Sequence, residues 1–396
     1  MSEALIIDAV RTPRGKRKGS LAGIHAADLA AHVLNAALER TGVPGERVED
    51  VVLGCVTQIG EQAFDVARGA VLAAGMPTSV PGKTVNRLCG SGLTAVADVA
   101  NGIMAGQIQL GIGGGVESMT RIPMGSDAGF GDGPTSPRLA ERFPDLTHQG
   151  LSAELIARKW SLSRGQLDEL AASSQSKAAA ARAAGWFRRE IVPIPVRDAD
   201  GRTRLFSDDE HPRPGTTVET LEKLKPSFRD DGVIHAGNAS GIVDGAAAVV
   251  VASAEAARAL GLRPRARIVA TAVVGSDPVL MLTGPIPSSR LALERAGWTV
   301  DDVDLWEINE AFAPVPIVVG QELGISLDRI NVQGGAIALG HPLGATGAML
   351  LATLLGALER RSLRRGAVTL CIGYGMGITM LVERVEQGAR GLPWST

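Results

Sequence analysis

The stretch RVEDVVLGCVTQ at residues 47–58 decides the fold, because it returns as TVDDVDLWEINE at residues 299–310. Two further pairs of segments recur in the same order: CGSGLTAV (89–96) with GATGAMLL (344–351), and QLGIGGGVESM (109–119) with TLCIGYGMGIT (369–379). Three matches in one order, at a displacement of about 255 residues, indicate an internal repeat. The chain is therefore predicted to contain two similar halves.

The repeated segments belong to an alternation of short apolar runs and longer helical runs. ALIIDAV, DVVLGCV and QLGIGGG are typical of buried strands, and AADLAAHVLNAALERTG is typical of an amphipathic helix. Strands that alternate with helices of this length favour an α/β layered fold.

Residues 119–242 have no counterpart in the second half and are read as an insertion. They carry clusters of Pro, Gly and Asp around two helical runs, and long insertions of this kind usually serve binding. We predict a first half at residues 1–118 plus 243–264, an inserted loop domain at residues 119–242, and a second half at residues 265–396.

Composition excludes several classes of protein. The 396 residues carry a formal net charge of −2, and basic residues are scattered apart from RTPRGKRKG near the N-terminus, which argues against a nucleic-acid partner. No apolar run reaches the roughly 18 residues that span a bilayer, so no membrane association is expected. The opening MSEALIIDAVRTP lacks the features of a secretory signal, and a cytoplasmic location is predicted.

The three cysteines, Cys55, Cys89 and Cys371, form no CxxC pair and no ligand spacing with histidine, so neither a disulfide framework nor a metal site is predicted. Cys89 stands where an extended run meets CGSG and the helical run LTAVADVANGI. A thiol at a helix N-terminus meets unpaired N–H groups, which would lower its pKa and favour the thiolate. Cys89 is thus either a nucleophile or a small packed side chain.

The second half supplies a partner base. His341 lies in NVQGGAIALGHPLGATG, just before the helix that mirrors the one after Cys89. Symmetric packing of the two halves would bring the starts of these helices together, so Cys89 and His341 are predicted to meet. Asn309 and Cys371 follow strands of the second half, although alone each also fits a turn residue or a core thiol.

Six motifs make the chain resemble the thiolase family, the acetyl-CoA acetyltransferases and 3-ketoacyl-CoA thiolases. They are RTPRGKRKGSLAG, VNRLCGSGLTAV, AGNASGIVDGAAAVV, NEAFA, NVQGGAIALGHPLGATG and CIGYGMG, in this order. The resemblance extends to about residue 385. It implies five alternating layers, α-β-α-β-α, built from two similar halves with a loop domain inserted in the first.

The resemblance implies a role for each matching residue. Cys89 would become acylated, His341 would activate it, and Cys371 would exchange a proton with the acetyl-CoA enolate. Asn309, through a water, and His341 would form one oxyanion hole, and the N–H groups of Cys89 and Gly373 would form another. Coenzyme A and acyl-CoA would be substrates, with no permanently bound cofactor.

The resemblance also implies a CoA site along the inserted domain. Its expected residues are His148, Arg213, Phe228, Ala236, Ser240 and Phe312. Arg213 fits a solvated loop charge equally well.

Three positions depart from the family pattern. Gln149 stands where many members have Met, His235 where they have Thr, and Tyr374 replaces a glycine of CxGGGxG. Gln149 and Tyr374 would border the acyl pocket and are expected to influence the chain length or branching of the substrate. A side chain at residue 374 requires an allowed φ and space beside the catalytic turn.

The predicted activity is CoA-dependent cleavage of 3-ketoacyl-CoA, as in fatty acid β-oxidation, or the reverse condensation of acetyl-CoA, through acyl-Cys89. The resemblance implies a homodimer that pairs through the first-half sheet, or a homotetramer. Two alternatives stay open: a ketoacyl synthase, which pairs its cysteine with two histidines, and a noncatalytic thiolase-like protein that binds acyl-CoA or supports a partner. Cys371 in CIGYGMG and Asn309 in NEAF argue against the synthase. The intact Cys89, His341 and Cys371 argue against the noncatalytic protein.

Overall fold

The structure is a computed structural model that describes residues 2–129, 131, 133–197 and 200–385. The C-terminal tail, residues 386–396, lies outside the described residues, and with it the end of the predicted second half.

Twelve strands lie in the described residues: β1 (Ala4–Arg11), β2 (Gly15–Lys16), β3 (Asp50–Gly54), β4 (Gly82–Val85), β5 (Leu110–Ser118), β6 (Ile194–Arg197), β7 (Thr203–Phe206), β8 (Val243–Ser253), β9 (Ala266–Gly275), β10 (Leu305–Ile308), β11 (Arg365–Ile372) and β12 (Met376–Arg384).

The same residues form twelve α-helices: α1 (Ala26–Thr41), α2 (Val66–Ala73), α3 (Ser91–Met104), α4 (Pro137–Arg142), α5 (Gln149–Lys159), α6 (Arg164–Ala183), α7 (Val218–Leu221), α8 (Ala254–Ala259), α9 (Pro285–Ala296), α10 (Pro314–Leu323), α11 (Ala336–Leu339) and α12 (Thr346–Arg360). None of these helices is both long and apolar enough to cross a membrane.

The two halves repeat one strand arrangement. The first half has the order β4-β3-β5-β8-β1, and the second has β10-β11-β12-β9. In each half a parallel pair is followed by antiparallel neighbours: β3 runs parallel to β5 as β10 does to β11, and β8 and β12 are antiparallel to both of their partners. This arrangement confirms the internal repeat.

The halves join through their equivalent strands β1 and β9. Leu5 pairs with Arg267 and Ile6 with Ala266, in antiparallel register. This short contact links the two sets of strands into one ten-stranded sheet that includes β2.

Three apolar clusters define the layers. One joins α3 and α12 to the inner faces of both sets of strands, a second lies under α1 and α2, and a third lies under α9 and α10. Because successive strand residues face opposite sides, β1 places Ile6 in the central cluster and Leu5 in the outer one. The expected five layers, α-β-α-β-α, are confirmed.

Two glycines of the repeat allow α3 and α12 to touch in the middle layer. A Cβ on Gly92 would lie 2.6 Å from the Gly344 carbonyl oxygen, and one on Gly347 would lie 2.4 Å from the Leu93 nitrogen. Any side chain at these positions would separate the helices. The match of CGSG with GATG thus reflects the close approach of two backbones near the starts of equivalent helices.

Two of the repeated segments were aligned wrongly. β3 begins at Asp50, which pairs with Gly111, and β10 begins at Leu305, which pairs with Gly366. With these strand starts aligned, QLGIGGGVESM repeats from about residue 364 rather than residue 369, and RVEDVVLGCVTQ repeats from about residue 302 rather than residue 299. The glycines of QLGIGGGVESM lie inside β5 rather than in a turn. A Cβ on Gly115 would lie 2.0 Å from the Gly344 carbonyl oxygen. The close approach of these two backbones therefore requires glycine at residue 115.

The segment between β5 and β8 is tied to the first half by buried charges. Arg11 on β1 donates from Nε to Glu190 Oε1 at 2.7 Å and from Nη1 to Asp209 Oδ1 at 2.7 Å. All three side chains are almost fully buried. This pairing fixes the inserted segment against the central sheet.

Candidate active site

Cys89 lies in the turn between β4 and α3, where it forms part of the wall of a cavity of about 740 Å³. The cavity is also lined by four residues predicted from the sequence: His148, Gln149, Gly373 and Tyr374. Much of the remaining wall is apolar, including Leu88, Met281 and Leu343. The cavity therefore combines a buried thiol with room for an apolar chain.

The turn that carries Cys89 is packed against the second half. Cys89 shares a small apolar cluster with Leu343, two residues after His341. A Cβ on Gly90 would lie 2.5 Å from Ile372 Cδ1, at the end of β11. The starts of the two equivalent helices therefore meet, as the repeat predicted.

Burial raises the pKa of the Cys89 thiol to about 11. The backbone N–H groups of Cys89 and Gly373 and the side chain of Gln149 act in the opposite direction, toward a lower pKa. The expectation that the helix start would leave a lowered pKa was wrong, because the loss of hydration at a 4% exposed side chain outweighs these donors. The resting group is a neutral thiol.

His341 lies between α11 and α12, and its two ring nitrogens have different partners. Nδ1 lies 2.6 Å from Thr346 Oγ1, and Nε2 lies 3.3 Å from Asn309 Nδ2. The Thr346 hydroxyl donates its single proton to the Pro342 carbonyl at 2.9 Å. Thr346 must therefore accept from Nδ1–H, which leaves a lone pair on Nε2.

Burial, and secondarily the charge of Arg14, lowers the pKa of His341 to about 3. The imidazole is thus neutral throughout the physiological pH range. Asn309 Nδ2 can only donate, so its N–H donates to the unprotonated Nε2. A neutral ring with an unprotonated nitrogen can accept a proton from a thiol during attack.

Cys371 and Gly373 come from the end of β11 and the turn after it. The Cys371 side chain is 1% exposed, and burial together with the neighbouring Cys89 raises its pKa. Both cysteines therefore rest as thiols in one buried region.

Asn309 follows β10 and is fully buried, with Oδ1 lacking a partner in the structure.

Tyr374 adopts a left-handed backbone conformation with φ of 61° and is 40% exposed. A side chain here was expected to need an allowed φ, whereas the structure gives Tyr374 a φ in the left-handed region that favours glycine. Gln149 approaches the same turn, because a Cβ on Gly373 would lie 3.3 Å from Gln149 Nε2.

The expected CoA residues fall into three groups. The His148 and Phe228 rings stack with centroids 5.6 Å apart, and Phe228 meets Phe312 edge-on at 5.9 Å. Ala236 and Ser240 lie in the loop before β8. Of these six residues only His148 lines the cavity. Arg213 is exposed, and its backbone N–H donates to Gln175 Oε1 at 2.8 Å.

Two residues that the sequence analysis missed hold the loops of the candidate site. Thr346 orients His341, and Glu117 at the end of β5 accepts from the N–H groups of Val56, Thr57 and Gly344 at 2.9–3.1 Å. Glu117 thereby links the turn after β3 to the loop that carries His341. The position of Thr346, at the start of the helix after His341, could have indicated its role. Glu117 is a single acidic residue within a strand, and nothing in the local sequence indicates its role.

No group of three or more His, Cys, Asp or Glu side chains that could hold a metal ion occurs in the part of the chain that the structure describes.

Comparisons with known proteins agree with this geometry. Residues 4–255 match the family model described as "Thiolase, N-terminal domain", and residues 262–384 match "Thiolase, C-terminal domain". The chain belongs to the thiolase family. An acetyl-CoA acetyltransferase of Cupriavidus necator is 45% identical over 393 residues, covering 97% of this chain and 100% of that protein.

Other thiolases show the same extent of similarity. A 3-ketoacyl-CoA thiolase of Serratia proteamaculans is 45% identical over 391 residues, covering 97% of this chain and all of that protein. The crystal structure of the Bacillus anthracis acetyl-CoA acetyltransferase superposes with a TM-score of 0.89 at 39% identity, covering 97% of this chain and 99% of that one. This chain is a thiolase enzyme, an acyltransferase, and its family acts on CoA and acyl-CoA substrates. Neither the ketoacyl synthase nor the noncatalytic alternative is favoured.

Proposed function

We propose that this thiolase cleaves 3-ketoacyl-CoA with CoA, giving acetyl-CoA and a shortened acyl-CoA, and catalyses the reverse condensation by the same path. One observation carries the proposal: Cys89 of the first half meets Gly373 and Cys371 of the second half at a buried point beside a large cavity. The reaction needs a nucleophile and a second proton carrier together, and these residues supply both.

In the first step, Cys89 Sγ attacks the 3-keto carbon while its proton moves to His341 Nε2. The N–H groups of Cys89 and Gly373 hold the oxyanion of the tetrahedral intermediate. The Cα–Cβ bond then breaks, its electron pair forms the acetyl-CoA enolate, and the acyl group stays on Cys89.

Cys371 protonates the enolate carbon and becomes a thiolate, which releases acetyl-CoA. His341, now carrying the proton on Nε2, and Asn309, through a water, hold the enolate oxygen. A thiol with a raised pKa suits this role, because proton exchange with carbon is most efficient when the donor and the carbon acid have similar pKa values.

In the second step, CoA gives its thiol proton to the Cys371 thiolate and attacks the acyl carbonyl on Cys89. The departing Cys89 takes the proton back from His341, so all three groups return to their resting states. Every step uses groups of this chain, so the proposal requires no permanently bound cofactor.

The contacts of the inserted segment support a CoA path. The His148, Phe228 and Phe312 rings contact one another in series. We infer that they border the pantetheine chain, which Ala236 and Ser240 would contact. The exposed guanidinium of Arg213 suits a phosphate at the nucleotide end. Gln149 and Tyr374 would shape the acyl part of the cavity.

The finer biology also belongs to this proposal. We infer a role in fatty acid β-oxidation or in condensation, with metabolite ratios setting the direction, and a cytoplasmic location. The assembly would be a homodimer paired through the first-half sheet, or a homotetramer.

The proposal is tested by mixing the enzyme with CoA and a panel of short, long and branched 3-ketoacyl-CoA substrates. Loss of the 3-ketothioester is expected, and mass spectrometry after brief exposure to acyl-CoA should detect acylation of Cys89 that disappears in Cys89→Ala. Absence of turnover over the whole panel, or acylation of another residue, would overturn it.

A further inference from the structure

His235 is a fully buried histidine with a defined partner on each ring nitrogen. Nδ1 accepts from the Gly237 N–H at 3.0 Å, so Nε2 carries the proton. Nε2 lies 2.7 Å from Asp168 Oδ1, on α6, and donates to it. This side chain therefore joins the loop before β8 to the inserted helix α6.

Asp168 completes a closed set of contacts. It is fully buried, accepts from Asn238 Nδ2 at 3.0 Å, and lies 3.4 Å from Arg164 Nε. Asn238 Oδ1 in turn accepts from the His235 N–H at 2.9 Å. Glu154, on α5, accepts from the neighbouring Val233 and Ile234 N–H groups at 2.8–3.0 Å. Buried polar networks satisfied in this way rigidify the segment that they hold.

The held segment contacts both catalytic loops of the second half. The Ala313 N–H donates to the Asn238 carbonyl and the Ser240 N–H donates to the Ala311 carbonyl, each at 2.9 Å. The His341 N–H donates to the Gly241 carbonyl at 3.0 Å. Residues 235–241 thus connect α6 to the loop of Asn309 and to His341 itself.

We propose that His235 is a positioning residue that fixes residues 235–241 for CoA binding. Through its bond to Asp168 it sets the positions of Ala236 and Ser240 relative to the loops of Asn309 and His341. A threonine, which the family pattern has at this position, would carry a hydroxyl too close to its own backbone to bond the Gly237 N–H and Asp168 on α6 at once. This proposal rests on the CoA path proposed above.

The test measures the activity of His235→Leu on two substrates. One is a 3-ketoacyl-CoA, and the other is the N-acetylcysteamine thioester of the same acyl group. This thioester lacks most of the CoA chain. The kcat/KM for the CoA substrate is expected to fall about tenfold more than that for the truncated thioester, because the truncated thioester lacks most of the chain that Ala236 and Ser240 would contact. The bonds of this segment to the loops of Asn309 and His341 serve both substrates equally. His235→Gln places an amide donor near the position of Nε2 and is expected to restore most of the loss. Equal losses for both substrates, or no recovery in His235→Gln, would overturn the proposal.

His25→Leu is the matched control. His25 makes the same local bond, from the Ala27 N–H to Nδ1 at 3.1 Å, at the exposed start of α1. This variant is expected to leave the ratio between the two substrates unchanged.

Calorimetry of CoA binding separates this proposal from the proposed reaction, because it needs no turnover. The Kd for CoA is expected to rise about tenfold in His235→Leu and to stay unchanged in His25→Leu. An unchanged Kd in His235→Leu would contradict the positioning role, whereas a wild-type enzyme that binds CoA without cleaving any 3-ketothioester would contradict the proposed reaction alone.

Discussion

Asn309 Nδ2 lies 3.3 Å from His341 Nε2, although the two residues stand at the ends of different elements of the second half. Thr346 Oγ1 lies 2.6 Å from Nδ1 on the other side of the ring. The Thr346 hydroxyl already donates to the Pro342 carbonyl, so the imidazole carries its proton on Nδ1. The lone pair of Nε2 therefore faces Asn309, whose amide N–H donates to it.

Thr346→Val tests this tautomer. Valine has the same shape but no acceptor for Nδ1–H, so the proton can move to Nε2 and remove the base. We expect kcat to fall about 10²-fold, within the range of general-base contributions, while KM changes little. Steady-state kinetics with a 3-ketoacyl-CoA gives both values.

Thr353→Val is the control on the same helix. Thr353 is equally buried, but its hydroxyl bonds to Glu190 Oε1 at 2.9 Å, away from His341. This variant is expected to lose stability and keep the wild-type kcat. A wild-type kcat in Thr346→Val would contradict the assigned tautomer.

Variants of Cys89 and Cys371 are expected to lose different half-reactions. Cys371→Ala should still become acylated on Cys89 by acyl-CoA, but should no longer exchange the methyl protons of acetyl-CoA with deuterated water. Overall turnover should fall by about 10²–10⁴-fold, because the proton carrier for carbon is missing. Mass spectrometry follows acylation, and NMR follows exchange.

Cys89→Ala provides the comparison, since it should lose acylation altogether. Wild-type exchange in Cys371→Ala would show that another group carries the proton.

The pKa values of Cys89 and His341 predict a specific pH dependence. Burial raises the pKa of Cys89 to about 11 and lowers that of His341 to about 3, so the free enzyme holds a neutral thiol beside a neutral imidazole between these values. The thiolate fraction then grows about tenfold per pH unit below pH 11. Alkylation of Cys89 by iodoacetamide is expected to accelerate in this proportion from pH 7 to pH 10.

Cys55 and Cys371 are also free and buried, so they could be alkylated too. The same measurement on Cys89→Ala shows how much of the alkylation occurs at Cys89. A rate that is already at a plateau below pH 8 would instead indicate a preformed thiolate and imidazolium pair.

The sequence predicted the two halves and the main site residues because the repeat leaves a pattern that is local in the chain. The match of CGSG with GATG has a direct cause in the contact of Gly92 with Gly344. The register of β5 against β11 was not predictable in this way, since glycines inside β5 resemble glycines of a turn. Gly115 is needed because the backbone at Gly344, in the other half, packs against β5. A local sequence pattern does not show such a contact.

The charge state of the site also could not be predicted from the sequence. The helix start after Cys89 correctly predicted nearby N–H donors, but burial determines the direction of the pKa shift. Cys89 is buried among Val56, Met119 and Leu343, and Leu343 is more than two hundred residues away in the chain. Glu117 was missed for the same reason, because its role depends on Gly344.

Tyr374 is expected to limit the acyl groups that the cavity accepts, and two variants separate its effects. Both Tyr374→Gly and Tyr374→Ala remove the ring from the cavity wall, so both should raise kcat/KM for branched or bulky 3-ketoacyl-CoA relative to acetoacetyl-CoA. Only glycine removes the strain of a Cβ at a φ of 61°. Tyr374→Gly is therefore expected to exceed Tyr374→Ala by about 1 kcal/mol in the free energy of unfolding, as measured by denaturant titration. An unchanged preference in both variants would assign acyl selection to Gln149 and the rest of the wall, since the ring would then stand outside the path of the chain.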